Sequence, residues 1–466
     1  MRTAYLMSVF CFSFLFIQRS NKLWAQEDKL FYHPFDETKL APCTSDKCFD
    51  LNEIIKRTKS KAFTSRKEFN KLYQFAQQMK VKLGRLLPSF NYWSIVGTAF
   101  YKDPAAAFLI GGFIFPSNWF QWKESKLNYL AQRYSLIDVI ANQVQLGEVI
   151  YYNLHREIMV AKIYEHYFAV MDEILNYMEN HGKEGQLKGG DLLVIKALKD
   201  DMQAESLFIA DVVAALTPEL VLELALPVDE DWKTISIKRI HLPKIGDEKD
   251  ITPESVMQRA YDASDLLKSL YYITWAAEYS KKSTCFEWMS PFGSADNSLG
   301  FSLAPSIKIS KAKIEYLKIV GEEAKNQITY QVYSAAGVHN TAIKGYNAAI
   351  KGQKHIQELM DHLISLMRAG KPFDIHQLHE AIILGIKFDF LKNFSQHIYL
   401  LMKAKIRRFG KEGKYYKNIE KKIPGYNNKK LVGLAKRYED KKIKRDIKNN
   451  KLKLLKGDKK IVRDRS

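Results

Sequence analysis

The fold is decided by a stretch without proline that reads SNWFQWKESKLNYLAQRYSLIDVIANQVQ over 117–145 and extends to Thr217. Proline interrupts helices because it lacks a backbone N–H and clashes with the preceding turn. Apolar residues recur here at helical spacing, among them Leu127, Leu130, Tyr134, Ile137, Ile140 and Val144. The first turn signal comes only at 182–185, so the pattern predicts one helix of about 63 residues, or about 95 Å at 1.5 Å per residue. This length favours a coiled coil or a helical barrel over an ordinary globular helix.

A second long helix is predicted from Ile307 to Met367, and a turn at 368–372 ends it. The 3.6-residue period of apolar positions predicts further helices over 50–87, 191–224, 253–283 and 374–408. Two of these shorter helices, stacked end to end, roughly match one long helix in length. The predicted fold class is mainly α with a small β part, built from coiled-coil hairpins.

The two halves of the chain resemble each other. KLNYL at 126–130 is echoed by KIEYL at 313–317, Pro116-Ser117 by Pro305-Ser306, and Asp191-Leu192 by Asp374-Ile375. Three echoes in one order and at a nearly constant separation predict an internal duplication. The predicted repeats span 49–227 and 253–408, with a linker at 228–252 between them.

Two apolar β-hairpins are predicted between helices, over 88–117 and 284–307. Each arm of the first is about 11 residues long, the length of a tilted transmembrane strand, while the second is shorter and more polar. Aromatic residues flank the hairpins as at membrane interfaces, and the candidates are Tyr92, Trp93, Trp119, Trp122 and Trp288. A small soluble sheet explains the hairpins equally well when they are taken alone. In lipid they need other chains to close a barrel, and four strands from each of three chains would make twelve.

The N-terminus is typical of a secretory signal peptide over 1–25, with Arg2 before a short apolar run and a cleavage site after Ala25. The alternative is a buried or amphipathic N-terminal segment. Residues 26–48 then form a periplasmic segment, in which Cys43 and Cys48 could form a small disulfide loop. No later apolar run reaches 18 residues, so no transmembrane helix is predicted.

The formal net charge of +20 raises nucleic acid or anionic membranes as partners. The charge is uneven, because residues 411–466 carry 21 Lys and Arg against 7 Asp and Glu. We interpret 409–466 as a basic, disordered periplasmic tail. Such a tail would lie away from nucleic acid, so no nucleic-acid partner is predicted.

No catalytic, cofactor or metal site is predicted. The sequence contains no Gly-rich phosphate loop, no GxSxG and no HExxH, and its Cys and His residues lack zinc-site spacing. His376 and His379 lie three residues apart on one helix, which alone is a weak metal signal. The chain is therefore predicted not to be an enzyme.

The order of these elements resembles the TolC-like outer-membrane efflux and secretion channels over nearly all of 49–408. FDLNEII at 49–55 resembles the family's opening helix, and GRLLPSF at 84–90 resembles its helix-to-strand junction. The stretch 216–227 resembles the Leu-rich end of its first repeat. RAG at 368–370, followed by Asp374, resembles the turn and helix start of its second repeat.

The resemblance implies a homotrimer with a β-barrel in outer-membrane lipid and a long α-helical barrel in the periplasm. It implies a passive channel, the exit duct of a tripartite efflux pump or a type I secretion system, that docks a periplasmic adapter protein and an inner-membrane transporter. The closed periplasmic tip then lies at two helix turns, with candidate gate residues Gly185, Asp191, Arg368, Gly370 and Asp374. Asp191 and Asp374 are interpreted either as part of a cation-selecting ring or as helix caps.

Two other functions stay open. The first is a periplasmic structural or interaction protein, a degenerate relative that keeps the helical hairpins but no open barrel. The shorter second hairpin favours this alternative. The second is a basic coiled-coil protein that binds nucleic acid, which requires the signal peptide to be absent.

Overall fold

The computed structural model describes residues 34–36, 48–87, 114–181, 189–226, 235–289, 302–369, 371–411 and 415–416. Several predicted features lie outside these ranges: the signal peptide, most of the first hairpin, the turn of the second hairpin, Cys43, Gly185, Gly370 and most of the C-terminal tail. The predictions for those residues stay predictions.

Long helices make up most of the described chain. The α-helices are α1 (Leu51–Lys61), α2 (Phe63–Gly84), α3 (Pro116–His181), α4 (Gly189–Glu223), α5 (Pro253–Ala263), α6 (Asp265–Phe286), α7 (Leu303–Arg368) and α8 (Ile375–Gly410). A 3-10 helix at Glu287–Met289 follows α6, and two short strands are β1 (Cys48–Phe49) and β2 (Ser236–Ile237). The chain is mainly helical, and both predicted long helices are confirmed.

The helices of the two halves have matching lengths. In the first half α1, α2, α3 and α4 contain 11, 22, 66 and 35 residues. In the second half α5, α6, α7 and α8 contain 11, 22, 66 and 36 residues. A helix of 66 residues has a contour length of about 100 Å at 1.5 Å per residue.

The shorter helices before each long one are broken where the sequence predicted continuous helices. The break between α1 and α2 lies at Ala62 (φ −53°, ψ 133°), and the break between α5 and α6 lies at Ser264 (φ −65°, ψ 114°). Before the first break, the Thr58 hydroxyl donates to the carbonyl oxygens of Ile54 and Ile55, a contact that bends helices. At the second break, Ser264 caps α6 by accepting a hydrogen bond from Leu267 N.

The opening helix α1 begins with a complete capping box. Asp50 Oδ1 accepts from Glu53 N at 2.7 Å, and Glu53 Oε2 accepts from Asp50 N at 3.0 Å. Both interactions satisfy backbone donors that the first turn of a helix leaves open. The helix therefore starts where the sequence predicted it.

The predicted second hairpin is wrong over its described residues. Residues 284–286 belong to α6, 287–289 form the 3-10 helix, and 303–307 belong to α7. Helix α6 is extended by packing on α3, where the Phe286 and Phe120 rings stack with centroids 5.6 Å apart. Helix α7 accommodates Pro305 because a proline in the first turn removes an N–H that has no helical partner.

A short parallel strand pair holds the N-terminal segment in place. Cys48 pairs with Ser236 and Phe49 pairs with Ile237, and Lys238 N then donates to Phe49 O at 2.8 Å. Ile237 is buried in a cluster that also contains Ile54 and Leu220. The sequence did not predict this pair, because two residues per strand are too short for an alternating pattern.

The chain divides into two units. Unit 2 contains 38–161, 207–348 and 391–466. Its apolar clusters join α1 and α2 to the middle of α3, α6 to the start of α3, and α5 to α7 and the end of α8. Burial of these side chains is the main stabilising term in the unit.

Unit 1 contains residues 1–37, 162–206 and 349–390, so its described part is formed by α3, α4, α7 and α8 with 34–36. Its buried apolar residues include Ile163, Met171, Ile195, Met360, Leu378 and Ile382. Helices α7 and α8 approach closely here, since a Cβ on Gly352 would fall on the Phe388 ring. The residue type at 352 therefore sets the spacing of these two helices.

The predicted tail begins later than the sequence indicated. Helix α8 continues to Gly410, and Lys411 ends it with a positive φ of 51°. Tyr416 is buried in a cluster with Ile55 and Leu136. The prediction of disorder from 409 is therefore wrong for 409–411 and 415–416, because an aromatic pair docks on the core there.

Candidate functional site

The first candidate site is the set of helix ends in unit 1 that the sequence predicted as a gate. Asp191 lies in the first turn of α4, and Arg368 is the last residue of α7. Asp374 immediately precedes α8. Gly185 and Gly370 lie outside the described residues, so the assembly of these five residues into a gate stays a prediction.

Asp374 caps α8. Its Oδ1 accepts from His376 N at 2.9 Å, and its backbone carbonyl accepts from Leu378 N at 3.2 Å. A side-chain acceptor at this position satisfies one open backbone donor, and its negative charge complements the helix dipole. The carboxylate therefore has a structural role, whatever else it does.

The end of α7 is closed by hydrogen bonds to its last carbonyl groups. Lys371 N donates to Leu366 O at 3.0 Å, and the Tyr177 hydroxyl donates to Met367 O at 2.8 Å. Pro372 follows directly and prevents the helix from continuing. The turn between α7 and α8 is thus fixed by contacts with α3 and by its own sequence.

The surface of unit 1 is acidic. Its described residues carry 14 Asp and Glu against 8 Lys and Arg, a formal charge of −6 in a chain whose total is +20. Asp200 and Asp201 are exposed near the start of α4. Lys196 pairs with Glu179 at 2.9 Å and Lys199 pairs with Asp172, but exposed ion pairs of this kind contribute little stability. A concentration of carboxylates favours cations in the surrounding solution.

A buried carboxylate organises the interior of unit 1. Asp389 on α8 is 2% exposed. Its Oδ2 accepts from the Tyr167 hydroxyl at 2.8 Å and from Phe35 N at 3.3 Å, and its Oδ1 accepts from Gln353. One side chain therefore ties α3, α7 and α8 to the segment at 34–36. The Phe35 ring packs edge-on against His166, which anchors the same segment.

A buried histidine pair lies in unit 2. His155 on α3 and His397 on α8 are 2% and 0% exposed, and His155 Nδ1 lies 2.8 Å from His397 Nε2. Ile240 N lies 3.3 Å from His155 Nε2, and His397 Nδ1 lies 2.8 Å from Asn393 O. The arrangement links α3, α8 and the segment after β2.

The hydrogen-bond partners at the two ends of the histidine pair determine which ring nitrogens carry the protons. The Ile240 N–H can only donate, so His155 Nε2 accepts and His155 Nδ1 carries the proton. That proton is donated to His397 Nε2, which leaves the second proton on His397 Nδ1, facing the Asn393 carbonyl oxygen. Both rings are therefore neutral and fully satisfied. Burial lowers the pKa of His155 to about 3 and that of His397 to about 4, and the neighbouring His397 ring lowers the His155 pKa further.

A second polar centre of unit 2 contains a buried charge. Glu148 is 0% exposed, and its two oxygens accept from Arg407 Nη2 at 3.1 Å and the Tyr416 hydroxyl at 3.2 Å. Burial raises the pKa of the Glu148 carboxyl, while the charge of Arg407 and the hydrogen bond from Tyr416 oppose that shift. Arg408 and Lys411 pair with Asp138 at 3.3 Å and Asp265 at 2.5 Å. The basic end of α8 is thus bound to carboxylates of α3 and α6.

These buried centres were missed by the sequence analysis, although α8 carries a signal for them. Asp389, Asn393 and His397 follow one another at four-residue spacing, in line with buried Leu378 and Ile382. Polar residues on the apolar side of a helix need buried partners. The partners themselves are distant in sequence, since His155 and His397 are 242 residues apart.

Helix α7 has an apolar stripe that unit 2 leaves exposed. We call it the α7 seam, and it consists of Tyr316, Ile319, Tyr330 and Tyr333. The four residues form two pairs with a three-residue step, separated by 11 residues, and Tyr330 is 74% exposed. Large exposed apolar side chains on one helix are typical of a surface that another element covers.

The predicted interface aromatics are partly described. Trp119 and Trp122 lie in the first turns of α3, with ring centroids 6.0 Å apart in an edge-to-face arrangement. Tyr92, Trp93 and the side chain of Trp288 lie outside the described residues. Among the cysteines, Cys48 is disulfide-bonded and Cys285 is free. The pairing of Cys48 with Cys43 stays a prediction.

In the described ranges, no three His, Cys, Asp or Glu side chains come together in a way that could hold a metal ion. None of the described helices combines the length and the apolar character that crossing a membrane requires.

Comparison with known proteins shows a likeness in structure. No family model matches the sequence, and no curated protein matches it. The Campylobacter jejuni CmeC outer membrane channel is similar with a TM-score of 0.62 and 12% identity, covering 85% of this chain and 95% of the channel. The Neisseria gonorrhoeae MtrE outer membrane channel, in its open state, is similar with a TM-score of 0.61 and 11% identity, covering 81% and 96%.

The outer membrane protein VceC from Vibrio cholerae is similar with a TM-score of 0.60 and 10% identity, covering 77% of this chain and 96% of VceC. Each similarity covers nearly all of the known structure. The resemblance to TolC-like outer-membrane channels that the sequence predicted is confirmed at the level of the fold, and this chain has the fold of outer membrane channels.

Proposed function

We propose that the chain forms a trimeric outer-membrane channel, the exit duct of a tripartite efflux pump or a type I secretion system. One observation carries the proposal: the fold is shared with outer membrane channels over 81–85% of this chain and 95–96% of theirs. A helix of about 100 Å is long enough to extend far from a membrane surface. Such a helix suits a duct that carries solutes across the periplasm.

The equal helix lengths support two internal repeats. Lengths of 11, 22 and 66 residues recur in the same order, followed by 35 residues in one half and 36 in the other. Two such repeats per chain, in three chains, would form a ring of six similar sets of helices. A ring of this kind would close a helical barrel.

The α7 seam supports association with further copies of the chain. Tyr316, Ile319, Tyr330 and Tyr333 are exposed within unit 2, which leaves apolar surface for another protomer to cover. The acidic unit 1 is the end that would meet the adapter protein and the inner-membrane transporter. Its carboxylates would favour passage of cationic solutes.

The oligomeric state tests the seam. Tyr330→Glu places a charge in the apolar stripe, so the trimer of the full chain is expected to dissociate at a temperature several degrees lower. Tyr330→Phe is the matched control and keeps the wild-type trimer, because the ring remains. If the two variants behaved equally in heated and unheated electrophoresis, the α7 seam would not lie in the trimer interface.

A conductance measurement separates the channel from its main alternative, a structural protein without an open barrel. The purified full-length protein, added to a planar lipid bilayer, is expected to insert and pass current in discrete steps. The acidic unit 1 predicts a reversal potential that favours cations over anions. A protein that inserts or adsorbs without any current step would support the structural alternative.

A further inference from the structure

Four helix ends in unit 2 meet at one place. Lys82 Nζ and Arg85 Nη1, at the end of α2, donate to Gln121 Oε1 on α3 at 2.9 and 3.2 Å. The Ser283 hydroxyl, near the end of α6, donates to Ser117 O at the start of α3 at 3.3 Å. The ends of α2 and α6 therefore both contact the start of α3.

The start of α7 belongs to the same group of ends. The Glu124 carboxyl on α3 accepts a hydrogen bond from Ser280 on α6, and the charges of Lys82 and Lys313 both act on it. Burial raises the pKa of the Glu124 carboxyl more than these groups lower it. The carboxylate inside this group of helix ends is thus partly desolvated.

We call these helix ends, residues 80–87, 114–126, 278–289 and 302–315, the basic collar. They carry 10 Lys and Arg against 4 Asp and Glu, a formal charge of +6. Lys123, Lys282, Lys308 and Lys311 have no carboxylate ion-pair partner, as far as the described residues show. Unpaired cations that lie close together repel one another, and binding of an anionic group relieves that repulsion.

The same ends also expose large apolar side chains. Within the described part of the collar these are Val81, Leu83, Leu87, Ile114, Trp119, Phe286, Met289 and Ile309. Ile309 is 69% exposed and sits next to Lys308. Exposed apolar and cationic side chains therefore occur together along the same helix ends. A nucleic acid would match the cationic side chains but not the apolar ones, whereas an anionic lipid surface matches both.

Aromatic rings hold several of the collar lysines in position. Lys123 Nζ lies over the Phe120 and Tyr279 rings at 6.0 and 5.7 Å, and Lys282 Nζ lies over the same Tyr279 ring at 5.2 Å. Phe120 in turn stacks on Tyr279 with centroids 6.3 Å apart. A ring supports an ammonium group from one side and leaves its other side open for an oxygen acceptor. Long lysine stems beside exposed apolar residues let the charge reach a headgroup while the stem stays in apolar surroundings.

From this juxtaposition we infer that the basic collar binds the phosphate headgroups of anionic glycerophospholipids at the membrane surface. The inference rests on the proposed function, which orients the collar toward the outer membrane. The collar would then fix the depth of the channel in the membrane and select anionic lipids as its immediate neighbours. Its function is distinct from that of the acidic unit 1.

The test uses the full-length protein reconstituted into vesicles that contain brominated phosphatidylglycerol or brominated phosphatidylcholine. Bromine quenches tryptophan fluorescence at close range, and Trp119 and Trp122 lie within the collar. Quenching across mixtures of the two lipids gives a relative binding constant. The wild type is expected to prefer phosphatidylglycerol at least about five-fold, the effect of a single cationic residue at an anionic surface. The preference should shrink in high salt.

Two variants with equal loss of charge make the test specific. The combined substitution of Lys123, Lys282, Lys308 and Lys311 by Gln is expected to reduce the preference to about one. The control replaces four exposed lysines outside the collar, Lys56, Lys67, Lys244 and Lys249, by Gln and is expected to keep the wild-type preference.

The outcomes separate this inference from the proposed function. A wild type that fails to enter phosphatidylcholine vesicles as a heat-sensitive trimer contradicts the proposed function itself. A wild type that inserts as a trimer but binds both lipids equally overturns the collar inference alone. Equal loss of preference in the two four-lysine variants also overturns it, because the effect would then come from net charge.

Discussion

Unit 1 and the basic collar of unit 2 are formed by parts of the same long helices, yet they have opposite charge. The described residues of unit 1 carry a formal charge of −6, and the collar carries +6. Their surfaces differ as well, since the collar carries lysines together with exposed apolar side chains. The difference shows that the chain's net charge of +20 says little about any one surface.

The two units also differ in the polar groups that they bury. Among the residues that the structure describes, unit 1 encloses the carboxylate of Asp389 among donors. Unit 2 encloses a neutral histidine pair and a carboxylate, Glu148, that is matched by a cation. The two units should therefore respond differently to acid and to substitution, and four predictions separate them.

The largest effect is expected from acid acting on unit 2. Above pH 6.5 the histidines are neutral in both the folded and unfolded states, so the stability of the pair is fully present. As the pH falls below 6.5, the unfolded histidines gain protons that the folded pair resists until about pH 4. Unit 2 should lose on the order of 4 kcal/mol by pH 5. Amide hydrogen exchange at 150–158 and 393–404, corrected for intrinsic rates, reports the loss.

Histidine variants provide the control for this acid response. The double variant His155→Gln with His397→Asn should lose the acid-dependent step, whatever its stability at neutral pH. His355→Gln, at an exposed position of unit 1, should keep the step. Unchanged exchange in the wild type between pH 7 and pH 5 would contradict the neutral assignment of the pair.

The next largest effect is expected in unit 1. Asp389→Ala leaves the Tyr167 hydroxyl, Gln353 and Phe35 N without their shared acceptor, at a cost of about 3 kcal/mol. Amides at 163–178 and 376–388 should then exchange about 100-fold faster, while unit 2 is unchanged. Asp200→Ala, at an exposed carboxylate, is the control and should leave exchange as in the wild type. Faster exchange throughout both units would show that the stabilising effect of Asp389 is not confined to unit 1.

A smaller loss of stability is expected when a buried ion pair is broken, and a still smaller one when an exposed pair is broken. Arg407→Met leaves Glu148 with the hydrogen bond from the Tyr416 hydroxyl but without its cation, and because Arg407 is partly exposed the cost is about 2 kcal/mol. Lys196→Met breaks the exposed pair with Glu179 in unit 1 and should cost less than about 0.5 kcal/mol. Denaturant midpoints of the full chain measure both. Equal midpoints for the two variants would mean that water reaches Glu148.

The smallest effect concerns helix caps. Asp374→Ala removes the cap of α8 in unit 1, and Asp50→Ala removes the capping box of α1 in unit 2. Each should cost about 1 kcal/mol and be confined to its own unit. Asparagine at either position retains a cap acceptor and should restore most of the loss. If Asp374→Ala instead altered the channel conductance without loss of stability, the carboxylate would belong to the gate.

Much of the fold was predictable because local features specify it. Long proline-free stretches with a regular apolar period predicted α3 and α7, and Asp374 before an apolar run predicted the start of α8. Ser264 also follows a cap pattern that was readable in the sequence. The break at Ala62 was not readable, because alanine favours helix and no cap residue or proline marks the position.

The candidate site was less predictable, since its contacts join distant parts of the chain. The polar residues at 389, 393 and 397 carry a signal for buried polar groups on α8 that was missed, and nothing local identifies Tyr167 or His155 as their partners. The hairpin expected at 284–307 is wrong over 284–289 and 303–307, and at 284–286 packing of Phe286 on Phe120 extends α6. Apolar residues at a helix end and in a short strand have the same local pattern.

The most direct test of the proposed channel measures the cell fraction that contains the protein and its migration in electrophoresis. Cells that produce the full chain are fractionated, and the outer-membrane fraction is run in electrophoresis with and without heating. The proposed channel predicts recovery in the outer membrane as a band of about three times the mass of the mature monomer, which converts to the monomer on heating. Recovery as a monomer from the soluble periplasmic fraction would contradict it and would favour a helical interaction protein.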